Sequence, residues 1–388
     1  MKNFEEKACL CALNRVFGFE PKSALAVISH LGCASALFTL NEKELEELLG
    51  PYSKYRHQIR RSAVYEAAAE LESLEKSGIQ FIGWGEDDYP PLLAECQDPP
   101  IGLYIRSSTP ASQLWTPDKS IAIVGTRDIS PYGKDWCRKT VEGLAATREK
   151  PLIVSGLALG TDICAHKAAV ENGLPTIGVM ATGPDSVYPY RHLAFAEQMC
   201  HTPGCALVTD YPPGTPPLQV HFLRRNRIIA GLSDATVLIE SKLKGGGMMT
   251  ARLAFSYDRD VFALPGRADD IRSQGCNYLI GNKIAEPVIS VESLIKNIGL
   301  KYTGRNRKDD DMDNLTAVYG GRLQGDSLKE MAGILSAIRR KRGIAVEDLC
   351  GETGLSYSRL SSLVSMLEAD GFITIDLLRR CSISRRSM

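Results

Sequence analysis

The sequence predicts a doubly wound α/β domain with a parallel, extended Rossmann-like sheet. A small helical domain should precede it, and a winged helix should follow it. Two observations indicate this fold class. Short β-branched runs alternate with amphipathic stretches in the middle of the chain, and helical periodicity dominates both ends. The length of 388 residues also exceeds one ordinary core, which favours two or three domains.

Residues 1–75 are predicted to form a small helical domain. Apolar residues recur at helical spacing in "ACLCALNRVFGF", "SALAVISHLG" and "AVYEAAAELESLEKSG". Gly18, Pro21 and Gly32 separate these stretches, as helix breakers do.

Residues 76–300 are predicted to form the wound sheet and its helices. Near-continuous apolar strands separated by helices are typical of a parallel sheet covered on both faces. The stretch "GIQFIGWGEDDYPPLLAECQDPPIGLYIR" adds two strands around a Pro-rich connection. The six strands predicted downstream are 121–125, 152–156, 176–182, 206–210, 236–241 and 260–266.

Residues 301–326 are predicted to be a linker, because they pair a basic with an acidic cluster and lack an apolar period. Residues 327–388 have the pattern of a winged helix, with a second helix whose core face is Leu360, Leu363 and Leu367. That helix offers only Arg359 among its exposed positions. Sequence-specific reading of duplex DNA is therefore not expected, and a weak DNA contact and a partner surface stay equally open.

Composition limits the function classes. Lys+Arg and Asp+Glu balance at 46 each, so any nucleic-acid surface must be a local patch. The 11 cysteines include no Cys-x-x-Cys pair, which favours reduced, buried thiols over disulfides or a metal site. The start "MKNFEEKACLCALNRV" carries acids where a signal peptide needs bases, and no apolar run reaches membrane length. We therefore expect a cytoplasmic protein without membrane or metal partners.

Glycine-rich loops follow three of the predicted strands. "IAIVG" leads to Thr126-Arg127, "LIVSG" leads to "LALGTD", and the strand that ends at Glu240 leads to "SKLKGGGMMTA". Ligands of wound sheets bind beyond the carboxyl ends of the strands, where glycines admit close approach and helix N-termini attract phosphate. Neither a G-x-G-x-x-G fingerprint nor a P-loop is present, which argues against ATP hydrolysis through a P-loop.

The stretch "HFLRRNRIIAGLSDATVLIES" places arginines just before an apolar run. We predict a short helix with these arginines at its start. Cations there oppose the helix dipole by roughly 0.3–1 kcal/mol each, a cost that a bound anion would relieve. The alternative is that Arg225 pairs with a carboxylate of this chain, such as Asp210 or Glu240.

The middle of the chain resembles the DNA-processing protein A family, also called DprA or Smf. The resemblance lies in an ordered series of segments: "IVGTRDISPYG", "IVSGLALGTDICAHKAA", "VYPYRH", "FLRRNRIIAGLS", "GGGMMTARLAF", "VFALPG" and "SQGCNYLI". It implies a homodimer that binds single-stranded DNA and loads RecA recombinase onto it during natural transformation. It implies neither catalysis nor a cofactor.

The resemblance also implies a phosphate-binding set, in which the arginines would hold a DNA backbone. Stacking on bases would fall to Tyr188, Tyr190 or Phe222. Two loops depart from the family pattern, with Met248 and Met249 in the glycine loop and Leu223 in place of proline. The residues expected to bind phosphate are Arg127, Ser155, Gly156, Arg191, Arg225, Asn226, Arg227, Gly246, Gly247, Thr250 and Asn277.

The N-terminal helices resemble the sterile-alpha-motif or helix–hairpin–helix-like extension of the family. Glu20 stands where a phosphate-binding hairpin would want a small, uncharged residue. A contact with protein is therefore favoured over a contact with DNA in this module.

Two other functions remain open. An N-glycosidase of the lysine-decarboxylase-like group would need a glutamate where this chain has Leu253. A mononucleotide sensor would use the same pocket for one phosphate. Asp162 and His166 could form an acid–base dyad on one helix face, although packing or capping is the favoured interpretation.

Overall fold

A sheet of nine strands, counted in the described part of the chain, forms the centre of the larger unit of this protein. In the computed structural model the described residues are 2–302, 312, 315–323, 325–341, 343–376 and 379–384. They divide into two compact units, 1–301 and 302–388. The strands of the first unit are β1 (Ile79–Gly83), β2 (Gly102–Arg106), β3 (Ser120–Val124), β4 (Leu152–Ser155), β5 (Thr176–Val179), β6 (Ala206–Thr209), β7 (Ala235–Leu238), β8 (Asp260–Ala263) and β9 (Glu286–Pro287).

Helices precede the sheet and then alternate with its strands. The first five form the N-terminal segment: α1 (Lys2–Phe17), α2 (Pro21–Leu31), α3 (Ala34–Leu37), α4 (Glu42–Leu49) and α5 (Arg61–Lys76). The helices between and after the strands are α6 (Pro91–Ala94), α7 (Ala111–Leu114), α8 (Pro131–Ala145), α9 (Thr161–Glu171), α10 (Leu193–His201), α11 (Gln219–Gly231), α12 (Gly246–Ser256), α13 (Gln274–Gly281) and α14 (Val291–Ile298).

The strand order is β1-β2-β6-β5-β4-β3-β7-β8-β9. β1 and β2 are antiparallel additions, and all pairings from β6 to β9 are parallel. The chain moves outward from β3 through β4 to β6, and then returns to place β7 on the other side of β3. This reversal creates a crevice at the carboxyl ends of β3 and β7, which is where wound sheets bind ligands. The six downstream strands and the two upstream ones are confirmed.

Both faces of the parallel sheet are covered, which explains the continuous apolar strands. One face packs residues of α8, α9 and α14 against Ile121 and Ile153. The opposite face packs α11, α12 and α13 against Val124 and Val154. The predicted N-terminal helices are present, and their core continues into the strands through Phe81 and Tyr104.

The second unit has helices α15 (Gly325–Arg340), α16 (Val346–Thr353) and α17 (Tyr357–Ala369). Its strands β10 (Ile344–Ala345), β11 (Ile373–Ile375) and β12 (Arg380–Ile383) pair in the order β10-β12-β11. This is the winged helix expected from the sequence. Of the predicted linker, 303–311, 313–314 and 324 lie outside the described residues. Leu315 and Tyr319, at its far end, pack into the core of the second unit.

Two further features concern the cysteines and the composition of the helices. All eleven cysteines are free thiols, and most are buried. Within the described residues, no helix has both the length and the apolar composition needed to cross a bilayer.

Candidate nucleic-acid interface

The loop after β3 carries Arg127 at the crevice, and two contacts fix its course. Thr161 donates from its backbone N–H and its hydroxyl to the carbonyl of Thr126, at 3.1 and 3.2 Å. Gly160 makes this approach possible, because it has a φ of 76° and a Cβ there would lie 2.3 Å from the Thr126 oxygen. From the other side, Arg272 donates to the carboxylate and the carbonyl of Asp128, at 2.7 and 3.1 Å.

Arg127 forms an exposed cation–aromatic cluster with two residues from distant parts of the chain. Its guanidinium carbon lies 5.1 Å from the ring centroid of Phe222 on α11. The ring of Tyr188 meets Phe222 edge-on, with centroids 5.5 Å apart. Arg127 is exposed, and Tyr188 is 47% exposed. We call Arg127, Tyr188 and Phe222 the Arg127–Phe222 surface. A cation beside aromatic rings can hold phosphate while bases stack.

The N-terminus of α12 supplies main-chain donors at the same edge of the sheet. Its N-cap, Gly245, has no side chain with which to cap the helix. The N–H groups of Gly246 and Gly247 find no acceptor among the residues that the structure describes. The Asn226 amide lies 3.5 Å from the Gly246 carbonyl, which brings α11 beside this helix end. Free N–H groups and the positive end of the helix dipole favour an anion here.

α11 begins at Gln219, so the predicted helix with arginines at its start is wrong. The arginines lie in the middle of the helix, where a helix dipole has little effect on a charge. The arginines therefore do not oppose the dipole at the start of the helix, and the role of each follows from what its side chain contacts.

Arg225 is only 3% exposed and serves the interior. Its Nη1 donates to the carbonyl of Gly156, at 2.6 Å, and to that of Val179. Burial lowers its pKa to about 10, and the nearby Asp162 opposes this shift, so the group stays protonated at neutral pH. Gly156 gives it room, because a Cβ there would lie 2.0 Å from Nη1. Direct phosphate contact by Arg225 is thus corrected to a structural role, in which Gly156 supplies a carbonyl acceptor.

Arg227 is buried as well and is neutralised by an acid of the chain. Its Nη2 lies 2.6 Å from Oδ2 of Asp210, and its Nη1 donates to the carbonyl of Asp98. The alternative of pairing with Asp210 therefore describes Arg227 rather than Arg225. Direct phosphate contact by Arg227 is also corrected, because its guanidinium is buried and already paired with a carboxylate of the chain.

Three other predicted side chains are committed to the backbone of the chain. Ser155 donates its hydroxyl to the carbonyl of Ile123 at 2.6 Å. Thr250 is 2% exposed, and its hydroxyl donates to the carbonyl of Gly246 at 3.5 Å. The amide of Asn277 accepts from the N–H of Gly266 and donates to its carbonyl, at 3.2 and 3.0 Å. Direct phosphate contact by these side chains is corrected to loop and helix support.

Arg191 and Tyr190 are exposed on a short 3₁₀ helix, and Tyr190 is 78% exposed. Sequence reasoning missed Arg224, whose guanidinium donates to the Gly18 carbonyl and lies 4.1 Å from the Phe19 ring centroid. This contact ties α11 to the N-terminal helices. No local signal indicates it, because its two sides are far apart in sequence.

The residues considered for catalysis, and Glu240 as the possible partner of Arg225, have structural contacts. His166 is fully buried, and its Nδ1 lies 2.7 Å from the Thr176 hydroxyl rather than at Asp162, so the packing interpretation is confirmed. Glu240 accepts from the backbone N–H of Ser130, at 2.9 Å, and from its hydroxyl, where α8 begins. Leu253 packs against the sheet core where the N-glycosidase would need its glutamate.

The family model of DNA recombination-mediator protein A matches residues 80–299, which is more than half of the chain. The chain belongs to this family. A winged helix-turn-helix DNA-binding model matches residues 333–374.

Named relatives agree with this assignment. Protein Smf of Synechocystis is 36% identical over 229 residues, which cover 59% of this chain and 56% of that protein. The X-ray structure of DNA processing protein A from Streptococcus pneumoniae has a TM-score of 0.63 and 28% identity, and covers 76% of this chain and 98% of that one. A structure of DNA processing protein A from Helicobacter pylori, described with a unique single-stranded DNA binding mode, has a TM-score of 0.50 and 29% identity. It covers 56% of this chain and 95% of that one.

The match spans little more than half of the Smf relatives, with 58% of the Escherichia coli protein covered. The family assignment therefore rests on the wound-sheet unit, and the activity of the whole protein is a matter for proposal.

Proposed function

We propose that this protein binds single-stranded DNA without reading its base sequence. The sugar–phosphate backbone would lie along Arg127 and the N-terminus of α12, and bases would stack on Phe222 and Tyr188. The observation that carries the proposal is the placement of Arg127 over Phe222, open to solvent at the edge of the sheet where wound domains bind ligands. The solved relative from Helicobacter pylori, with its single-stranded DNA binding mode, supports it.

The buried arginines have a different part in this proposal. Burial is the main reason that the pKa of Arg225 is lowered, and repulsion by the charge of the nearby Arg127 lowers this pKa further. A protonated guanidinium under the surface adds positive potential there without touching the ligand. Arg191 and the aromatic Tyr190 extend the exposed region along the same chain segment and are proposed as further contacts.

The decisive experiment is a titration of the full chain with single-stranded oligonucleotides of increasing length, followed by fluorescence anisotropy. A DNA-binding surface gains affinity with length, whereas a mononucleotide pocket gains nothing after the first unit. Phe222→Ala is expected to weaken binding about 5- to 150-fold, the equivalent of one lost stacked base. Tyr65→Ala, which removes a 72% exposed ring on α5, is the matched control. Length-independent affinity, or equal binding by Phe222→Ala and the unchanged chain, contradicts the proposal.

We propose further that the bound strand is handed to RecA recombinase, as the family resemblance implies, during natural transformation. The test is the delay before RecA begins DNA-dependent ATP hydrolysis on protein-coated single strands. This chain should shorten that delay, and Phe222→Ala should not. An unchanged delay contradicts the hand-over while leaving DNA binding intact.

The proposal includes a homodimer and no catalytic step. Light scattering of the purified chain measures the oligomeric state directly, and a monomeric mass at working concentration contradicts the dimer. Incubation with nucleoside monophosphates tests the N-glycosidase alternative, and we expect no release of free base because Leu253 replaces the catalytic carboxylate.

A further inference from the structure

A groove of about 790 Å³ lies between the N-terminal helices and the turn that follows β1. It is formed by α1, by α2 with the Gly32–Cys33 connection, and by residues 84–88. The volume falls within the range of sites that hold a ligand or an anchor side chain. None of the residues of the Arg127–Phe222 surface lines it.

The walls of the groove combine apolar side chains with polar and charged ones, and they are partly open. Phe4 projects from α1 with 46% of its surface exposed, and Leu10 and Ile28 lie behind it. Trp84 is half-buried, and its indole N–H donates no hydrogen bond within the described part of the chain. An exposed phenylalanine beside an unused indole donor can take an apolar side chain and an adjacent carbonyl from a ligand.

The rim of the groove is acidic. Glu6 is committed, because its carboxylate accepts from the N–H groups of Ala34 and Ser35 at the start of α3. Glu86 lies 3.2 Å from Lys7. Asp87 and Asp88 are exposed and form no ion pair with any residue that the structure describes. Two carboxylates are therefore free for a cation.

The turn that carries these acids is held in place from both ends. Trp84 donates from its backbone N–H to the Ile101 carbonyl at 2.7 Å. The Tyr89 hydroxyl donates to the Pro100 carbonyl at 2.7 Å, and its N–H bonds to the Glu86 carbonyl at 3.0 Å. A ligand therefore meets a turn whose backbone is already ordered, which lowers the entropic cost of binding.

We infer that this groove, which we call the acidic groove, docks a cationic amphipathic segment of a partner protein. An apolar residue of the segment would fill the space between Phe4 and Trp84, and a lysine or arginine on either side would face Asp87 and Asp88. An amphipathic segment in an apolar groove is a common mode of recognition. Like charge excludes single-stranded DNA from the same place, so the acidic groove separates protein binding from DNA binding.

The test measures binding of a fluorescent helical peptide of leucine and lysine to the full chain at low salt. Asp87→Asn with Asp88→Asn is expected to weaken binding about 2- to 30-fold, the sum expected for two exposed ion pairs. Phe4→Ala is expected to weaken it as well. Glu72→Gln with Glu75→Gln removes the same charge from exposed positions on α5 and is the matched control, which should bind within about twofold of the unchanged chain.

Two further measurements complete the test. Hydrogen exchange should slow in residues 84–88 and α1 when the peptide binds, and a peptide with glutamate in place of lysine should not bind. The inference is overturned if the two double variants bind equally, if protection falls elsewhere, or if an oligonucleotide protects the acidic groove. Thermal unfolding of each variant shows that the fold is retained, as expected for exposed acids.

Discussion

The two flanks of α11 use arginine in opposite ways. On one flank Phe222 meets Arg127, an exposed cation with no carboxylate partner that the structure describes. On the other, Arg225 and Arg227 are buried, and their partners are main-chain carbonyls and Asp210. The difference teaches that a run of arginines in a sequence does not identify the residues that touch an anion. The buried members set the position of the helix, and the helix sets the position of the exposed contact.

Breaking the Arg227–Asp210 pair is expected to have the largest effect. Asp210→Ala leaves a buried guanidinium without its carboxylate, which should lower the free energy of unfolding by about 3–5 kcal/mol. Urea denaturation measures it. Arg227→Met combined with Asp210→Leu removes both charges and should recover much of the loss. A change below about 1 kcal/mol in Asp210→Ala would place the pair in solvent rather than in the interior.

Filling the space beside Arg225 should have the next largest effect. Gly156→Ala introduces a Cβ 2.0 Å from Nη1, and overpacking of this kind costs about 1–3 kcal/mol of unfolding free energy. Gly281→Ala, where a Cβ meets nothing within 4 Å, is the control. Equal stability of the two variants would mean that the guanidinium does not occupy this site.

His166 should make the free energy of unfolding sensitive to acid. Burial lowers its pKa from 6.5 to about 3, so the unfolded chain takes up a proton below pH 6.5 that the folded chain refuses. This group therefore destabilises the fold progressively from pH 6.5 down to about 3, by about 2 kcal/mol at pH 5. His166→Asn should reduce the loss of unfolding free energy between pH 7 and 5. His57→Asn, at an exposed histidine, should leave that loss unchanged.

The smallest expected effect is that of Arg127→Ala on DNA binding, and it distinguishes the role of Arg127 from that of the arginines of α11. Arg127→Ala should lower affinity for single-stranded DNA at every base sequence. It should also reduce the slope of log affinity against log salt by about 0.7, the value for one phosphate contact on a single strand. Arg61→Ala, an exposed cation on α5, is the control. A slope unchanged by Arg127→Ala but reduced by Arg225→Lys, in a variant that stays folded, would reverse the roles assigned to the two flanks.

The strands could be predicted because burial on both faces leaves a local mark, the continuous β-branched run. The winged helix could be predicted from Leu360, Leu363 and Leu367, because burial of one helix face leaves apolar residues at a spacing of three or four. The start of α11 could not, because Gln219 to Leu223 has neither a capping residue nor a clear apolar period. Val220 and Leu223 in this stretch are exposed to solvent, so they do not mark a buried helix face.

The candidate site was predicted in part. The glycine loops and Arg127 follow from strand ends, which the sequence marks. The burial of Arg225 and Arg227 depends on Gly156, Val179 and Asp98, which the fold brings from distant positions. Asp210 is the sequence feature that indicates a buried ion pair, because an acid that follows a buried strand needs a cationic partner. The sequence does not show which arginine is that partner.

The contact between Gly156 and Arg225 has a consequence for how relatives of this chain can diverge. The guanidinium of Arg225 occupies the space that a side chain at position 156 would need. Neither position can therefore change freely while the other is kept. A descendant that acquires a larger residue at 156 has to give up the arginine at 225 or move the helix that bears it. We therefore expect positions 156 and 225 to change together, and a survey of natural variants should find them exchanged as a pair.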